Sequence, residues 1–205
     1  MNWRVALGKA IRQPLVALRV ARALGLGAWY RGWYKLVGRR VVIGKRFRVS
    51  GRLIIRGPGT VVFGDDCFVR STWRMPVTPF THAPDAEIRI GNDVMMWCTR
   101  LGCQKRIEIG DGADLADTRV MDTNFHSIEI GDKPRRNTSG VAKRVVIGRR
   151  AWLGAGSMVL KGVKVGENAI VGAGAVVMRN VPKNAVVMGN PARVVWRLRE
   201  PEASD

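Results

Sequence analysis

The chain has 205 residues and 22.6 kDa, enough to bury one sizeable core and short for two independent ones. Hydrophobic residues make up 46% and charged residues 25%, which excludes intrinsic disorder as the main state. Lysine and arginine number 35 against 16 acids, giving a net charge of +19 and a pI near 11.3, so an acidic partner or surface is expected.

The excess charge is N-terminal: residues 1–64 hold fourteen Lys or Arg and no acid. The opening MNWRVALGKAIRQ lacks a clean apolar stretch with a small-residue cleavage site, and no run reaches the roughly eighteen apolar residues of a spanning helix. Neither a signal peptide nor a transmembrane segment is expected. Residues 2–37 read as helix interrupted at Pro14 and at Gly25 and Gly27. At 100° per residue Arg4, Lys9, Arg12, Arg19 and Arg22 share an arc of about 140°, beside Trp3, Leu7, Ile11, Leu18 and Leu24. A basic amphipathic segment over 1–40 follows, placed either as a cap on the next domain or on an anionic membrane surface.

From Ile147 an aliphatic residue recurs every sixth position, through Leu153, Val159, Val165, Val171 and Val177. Four residues after each stands Ala151, Ser157, Val163, Ala169, Ala175 or Val181. Helices repeat at three and four and strands at two, so a period of six predicts a solenoid of short strands and tight corners, with each aliphatic stacked on its counterpart one coil away. Upstream the signature returns as VVIGKR, VVFGDD, IRIGND, IEIGDG and IEIGDK, the last at residue 128. The frames at 43, 63, 90, 109 and 147 are unevenly spaced, so insertions leave the coils; the segments 72–87 and 132–144, rich in Pro and polar turn residues, are the expected excursions. The solenoid is assigned to 41–188. Residues 189–205 are expected to form a turn (GNPAR), a short basic helix and a frayed tail. Cys67, Cys98 and Cys103 are odd in number and form no C-x-x-C pair, which argues against a disulfide framework or zinc knuckle and fits a reducing cytosol.

The run from IGRRAWLGAG at 147 through GNPARVV at 189 resembles the hexapeptide-repeat acyltransferases, most closely their maltose, galactoside and surface-polysaccharide O-acetyltransferase branch. DTNFHS at 122, WLGAG at 152, GAGAVV at 172 and GNPARV at 189 carry the resemblance, which spans roughly 41–198. It implies an all-β solenoid, a left-handed parallel β-helix, assembled as a homotrimer with sites between subunits and an acetyl-CoA donor. Counting from 109, 115 and 121, His126 falls in the last place of its unit, just before the register breaks. Acyl transfer to a hydroxyl needs a base, and an imidazole with an ordinary pKa of roughly 6.5 suits the task. His126 matches the family's catalytic histidine. His82, in FTHAPD, has no such frame and reads as structural or as an accidental surface residue. The resemblance assigns Ala155 and Ala173 to the pantetheine arm of coenzyme A, Arg179 and Arg193 to its phosphates, and Met178 to a neighbouring contact position.

The acceptor side departs from the family. Where maltose-type enzymes carry an asparagine one coil before the histidine, this chain reads Met96-Trp97-Cys98-Thr99. Neither Asn92 nor Asn124 matches. Arg100 and Arg119 occupy places where the repeat expects a small or aliphatic residue, so either the coil is distorted there or the cations meet an anionic acceptor. Trp97, Asn124, Arg100 and Arg119 are the candidate acceptor contacts.

The expected reaction is acetyl transfer from acetyl-CoA to a sugar or glycolipid hydroxyl in surface-polysaccharide synthesis, in the cytoplasm or at the inner face of the cell membrane. N-acetylation of a nucleotide-linked amino sugar is the alternative. The zinc carbonic anhydrase built on this fold needs three histidines where only His82 and His126 exist, so no metal is expected. Cys98 and Cys103 lie in no Cys-His motif. No nucleic-acid motif accompanies the charge, so no nucleic-acid partner is expected.

Overall fold

The protein's structure is a computed structural model that describes residues 14–135 and 138–199. Helix α1 (Pro14–Leu36) precedes three parallel sheets that wind about a common axis. The first sheet stacks β1 (Val41–Ile43), β3 (Thr60–Phe63), β6 (Glu87–Ile90), β9 (Arg106–Ile109), β12 (Val145–Ile147) and β15 (Lys164–Val165). The second stacks β2 (Arg48–Ser50), β4 (Phe68–Arg70), β7 (Met95–Trp97), β10 (Asp114–Ala116), β13 (Trp152–Leu153), β16 (Ile170–Val171), β18 (Ala185–Met188) and β19 (Arg193–Arg197). The third holds β5 (Thr78–Thr81), β8 (Arg100–Cys103), β11 (Arg119–Met121), β14 (Met158–Val159) and β17 (Val176–Val177). Each coil visits the sheets in that order.

The six-residue period is the physical cause. Ile43, Phe63, Ile90, Ile109, Ile147 and Val165 pair in direct register down the first sheet, and all six are buried. Full burial of such a side chain contributes about 1.5–3 kcal/mol, so one aliphatic per strand suffices to hold a coil. The small residues four places on, Ala151, Ser157, Ala169 and Ala175, are fully buried corners. The glycine after each first-sheet aliphatic serves close approach: a Cβ on Gly148 would lie 2.6 Å from the Gly166 backbone.

The third sheet shifts the frame read from sequence. In the fourth coil the inward residue after Leu115 is Val120, not Met121, because Asp117 takes a left-handed φ of 44° and shortens the corner by one residue. Thr118 therefore fills the small corner position, its hydroxyl 3.2 Å from that of Ser157 one coil on. Cys98 (φ 52°) and Thr99 repeat the device one coil earlier. Thus Arg100 and Arg119 do not distort the stack; they point outward, paired in register.

The insertions also differ from expectation. Within 72–87, residues 78–81 belong to the solenoid as β5, paired with β8. The large loop opens at Thr123 rather than 132, with a neck at the Thr123–Ala142 bridge. IEIGDK at 128 is a false repeat: Ile128 and Ile130 stand exposed in that loop.

At the N-terminus, Gly25 and Gly27 do not interrupt the helix. Gly27 lets α1 lie on the first coil, since a Cβ there would fall 1.8 Å from the Phe47 carbonyl oxygen. Tyr30 and Tyr34 hydroxyls accept the N–H groups of Leu53 and Ile55 at 3.1 Å, so α1 caps the open end of the core. Pro14 begins the described helix, and Trp3, Arg4, Leu7, Lys9, Ile11 and Arg12 lie outside the described residues. The expected C-terminal helix is instead β19, antiparallel to β18. Val194, Val195 and Trp196 favour a strand, and β18 offers an unpaired edge at the end of the stack.

Candidate active site

His126 stands where the fourth coil breaks open. β11 ends at Met121, and Asp122 turns in, fully buried, accepting the N–H groups of Gln104, Lys105 and Arg106 at 2.7 Å each. This anchor fixes the corner between the third and first sheets. Thr123 then donates its hydroxyl to the Gln104 carbonyl oxygen Oε1 at 2.7 Å and accepts the Phe125 N–H at 3.0 Å. Phe125 itself adopts φ 62°, a conformation costly for an aromatic residue. Its ring lies 6.2 Å from Phe80, nearly parallel, and 4.7 Å from His82, edge-on, and these contacts hold the strained turn. The chain is thereby thrown outward. His126 follows directly, its side chain exposed at the rim and its N–H donated to the Asn124 carbonyl at 2.7 Å. On the returning side of the loop, Gly140 closes the neck, donating its N–H to the Phe125 carbonyl at 3.2 Å.

His82 is more than a surface accident. Its ring packs on Phe80 at 4.6 Å as well as on Phe125, and burial lowers its pKa, opposed by the charge of Asp122. The ring thus packs beside Phe125, the residue that precedes His126. No frame marks it in the sequence, because the two-coil separation that brings His82 to Phe125 passes through uneven corners.

Gln104 carries no sequence signal of its own. Register places Gly102 opposite Met121, so Gln104 lies one coil before Thr123 on the same edge. A carboxamide thus stands one coil before the histidine, several residues beyond the stretch where the family's asparagine would fall. Its Oε1 is taken by Thr123, and the amide N–H groups are the donors it has left to offer.

The other expected contacts divide between two edges. Ala155 and Ala173 stack at the corner from the second to the third sheet, exposed, with the Ala155 carbonyl accepting the Gly174 N–H at 2.8 Å. Among the described residues the N–H groups of Ala155 and Ala173 have no partner, so they present free donors on small side chains. The GNPAR turn continues this edge: Ala192 donates its N–H to the Val176 carbonyl at 2.9 Å, and Arg193 is exposed, its guanidinium donating to the Ala192 carbonyl at 3.0 Å. Met178 and Arg179 lie across the third sheet, at the corner where His126 emerges two coils earlier. Lys143 and Lys161, which no motif singles out, fall on that same edge between them and make it a column of cations.

Arg100 and Arg119 line the outer face of the third sheet between the two edges. Asn124 shapes the turn through its carbonyl. Trp97 belongs to the second sheet, its ring 4.8 Å beneath the Arg70 guanidinium, and no described contact joins it to the His126 loop. The cysteines are buried; burial pushes the Cys67 thiol up to about 12, and Cys103 upward too, with the neighbouring Asp122 charge adding to it. Such thiols are inert.

The family described as bacterial transferase hexapeptide (six repeats) matches residues 144–179. Among curated proteins none matches in sequence. Among solved structures, a point mutant of AntD, an N-acyltransferase from Bacillus cereus, in complex with dTDP and coenzyme A, superposes with a TM-score of 0.64 at 19% identity, covering 83% of this chain and 89% of that one. A second mutant of AntD, in complex with dTDP-4-amino-4,6-dideoxyglucose and coenzyme A, gives 0.63 at 18%, covering 82% and 89%. The hexapeptide-repeat containing-acetyltransferase VCA0836 from Vibrio cholerae gives 0.56 at 21%, covering 94% and 93%. The six-residue repeat of residues 144–179 thus matches the hexapeptide family model, and the chain as a whole shares with these enzymes the fold of a left-handed parallel β-helix, an all-β solenoid.

Proposed function

We propose that the protein is an acyl-CoA-dependent acyltransferase that moves an acetyl group from acetyl-CoA to a sugar hydroxyl, in a surface polysaccharide or its glycolipid precursor. The observation that carries this reading is the projection of His126 from the coil by the Asp122 anchor and the strained Phe125, on the edge that also carries the Gln104 carboxamide and a column of cations. The imidazole takes the hydroxyl proton as the oxygen attacks the thioester carbonyl. The C–S bond then breaks, and the thiolate takes the proton back from the imidazolium, leaving an ester and free coenzyme A. Gln104 serves to hold the developing oxyanion or the acceptor.

The alanine edge fits the donor, because exposed N–H groups on small residues suit the amide-bearing pantetheine arm. Arg193 and Arg179, with Lys143 and Lys161, suit its phosphates. The alanine edge and His126 lie on opposite sides of the third sheet within one chain. A neighbour packed on this sheet would bring one chain's donor edge to the other's histidine, which favours a homotrimer. Acetyl-CoA is a cytoplasmic metabolite, so we place the reaction on the cytoplasmic side.

Transfer to the amine of a nucleotide-linked sugar is the second reading, favoured by the AntD complex with a dTDP-amino sugar and coenzyme A. The two separate in one assay. Purified protein with acetyl-CoA is offered matched hydroxyl and amino sugars, and the products are followed by mass spectrometry and by alkaline hydrolysis, which removes esters and spares amides. An alkali-labile acetyl increment supports O-transfer, a stable one on the amino sugar supports N-transfer, and no increment with any acceptor contradicts both.

A further inference from the structure

A second site lies far from His126, between α1 and the first two coils. A cavity of about 750 Å³ opens there. Arg19 and Arg22 of α1, Arg48 of β2 and Arg70 of β4 line it, with Val20 and Phe68 among its apolar walls and no acid in its lining. Arg48 is the telling member. It is 7% exposed, donates to the Asp66 main-chain oxygen at 3.0 Å and lies 5.2 Å from the centre of the Phe68 ring. Among the described residues no carboxylate stands within ion-pair distance of it. Asp66 and Asp93 border the smaller cavity on its other side, but Arg46 holds the Asp66 carboxylate at 2.5 Å. Asp66 therefore acts on Arg48 only through its field, with no direct ion pair, and an anion in the cavity would complete the charge balance of this buried guanidinium.

The same helix carries an uncovered apolar stripe. Leu15, Leu18, Trp29, Trp33 and Leu36 are all exposed, Leu15 by 72% and Leu36 by 80%. At 100° per residue they fall within about 60° of arc, centred about 130° round the helix from the face that Ala23, Gly27 and Tyr34 bury on the core. Trp29 and Trp33 stack at 5.8 Å. Arg22 sits within the stripe and also lines the cavity, so the stripe and the cavity mouth are continuous. No helix among the described residues is long and apolar enough to cross a membrane.

We infer that α1 docks on an anionic phospholipid surface, its Leu/Trp stripe lying in the headgroup layer while the arginine cavity behind it receives a lipid phosphate. The charge of the first 64 residues, fourteen cations and no acid, complements such a surface and no neutral one. Tryptophans at the apolar–polar boundary and arginines reaching phosphate are the side chains an interfacial helix uses. The inference stands apart from the acyl-transfer reading.

Flotation of the full chain tests it, with vesicles of phosphatidylcholine alone or mixed with phosphatidylglycerol, at near-physiological salt. Wild type is expected to float with the mixed vesicles and to stay behind with the neutral ones. Trp29→Ser with Trp33→Ser should weaken binding about tenfold or more through lost apolar contact. Arg22→Glu with Arg70→Glu should abolish the preference for anionic lipid. Arg149→Glu with Lys164→Glu reverses as much charge at the far end of the solenoid and should change binding less than about twofold. Circular dichroism melting confirms that each variant folds. Equal losses from both charge-reversed pairs would reduce the effect to net charge and overturn the cavity. Wild type that never floats would overturn the surface as a whole. A tryptophan variant that changes oligomeric state in light scattering would assign the stripe to a second copy of the chain and overturn the lipid reading.

Discussion

Asp122 decides most at the scale of single residues. A carboxylate in a corner with no solvent is tolerated because three backbone N–H groups converge on it and the Cys103 thiol donates to it at 3.4 Å. Asp122→Ala leaves those three part-buried donors without their partner, at about 1 kcal/mol or more each. Urea unfolding should show a loss of at least about 3 kcal/mol; a loss below about 1 kcal/mol would mean the corner is held by something else. The histidine's surroundings were less legible than the histidine. DTNFHS is local in sequence, so His126 is proposed from it directly. Gln104 and His82 reach the site only through coil register, and register depends on how many residues each corner takes. Asp117 and Cys98, in left-handed conformations that side chains other than glycine rarely adopt, are the reason the count fails there.

Among the elements, the loop from 123 to 142 carries the proposed base. Its neck depends on Gly140, where a Cβ would sit 2.7 Å from the Phe125 nitrogen and 2.8 Å from that of His126. Gly140→Ala must therefore displace the backbone that carries the histidine. Turnover is expected to fall about 10²-fold, as misplacement of a catalytic group by about 1 Å commonly does. The melting temperature should stay within a few degrees, because the coils lie outside the loop. Unchanged turnover would show that the neck does not position His126. The strands themselves were readable wherever the period of six runs unbroken, from Ile147 onward. Both ends of the chain were not. The helix tolerates Gly25 and Gly27 because Gly27 meets the Phe47 backbone, and the last segment became a strand because an open sheet edge outweighed its local pattern. IEIGDK misled for the converse reason, carrying the right local pattern on a segment with no coil to join.

The whole molecule is a prism with unlike faces. On the first sheet Glu87, Arg89, Arg106, Glu108 and Arg144 form a ladder of ion pairs. Burial alone would raise the Glu108 carboxyl, but Arg144 and Arg106 together outweigh it and hold the group below its ordinary range. That face is suited to water. The second sheet exposes Trp152 and half-buries Ile170 and Val186 in one outward column, a surface suited to a neighbour. We expect light scattering to give a mass three times 22.6 kDa. Co-refolding His126→Ala with Ala173→Arg, each inactive alone, should restore activity through mixed trimers that hold one intact shared site; a mixture as inactive as its parts would place donor and histidine in one chain. The most direct test of the account is the rate of acetyl transfer by His126→Ala, measured with coenzyme A affinity on the same preparation. Transfer should fall about 10²- to 10⁴-fold with affinity and melting unchanged, whereas transfer at the wild-type rate would remove His126 from the mechanism.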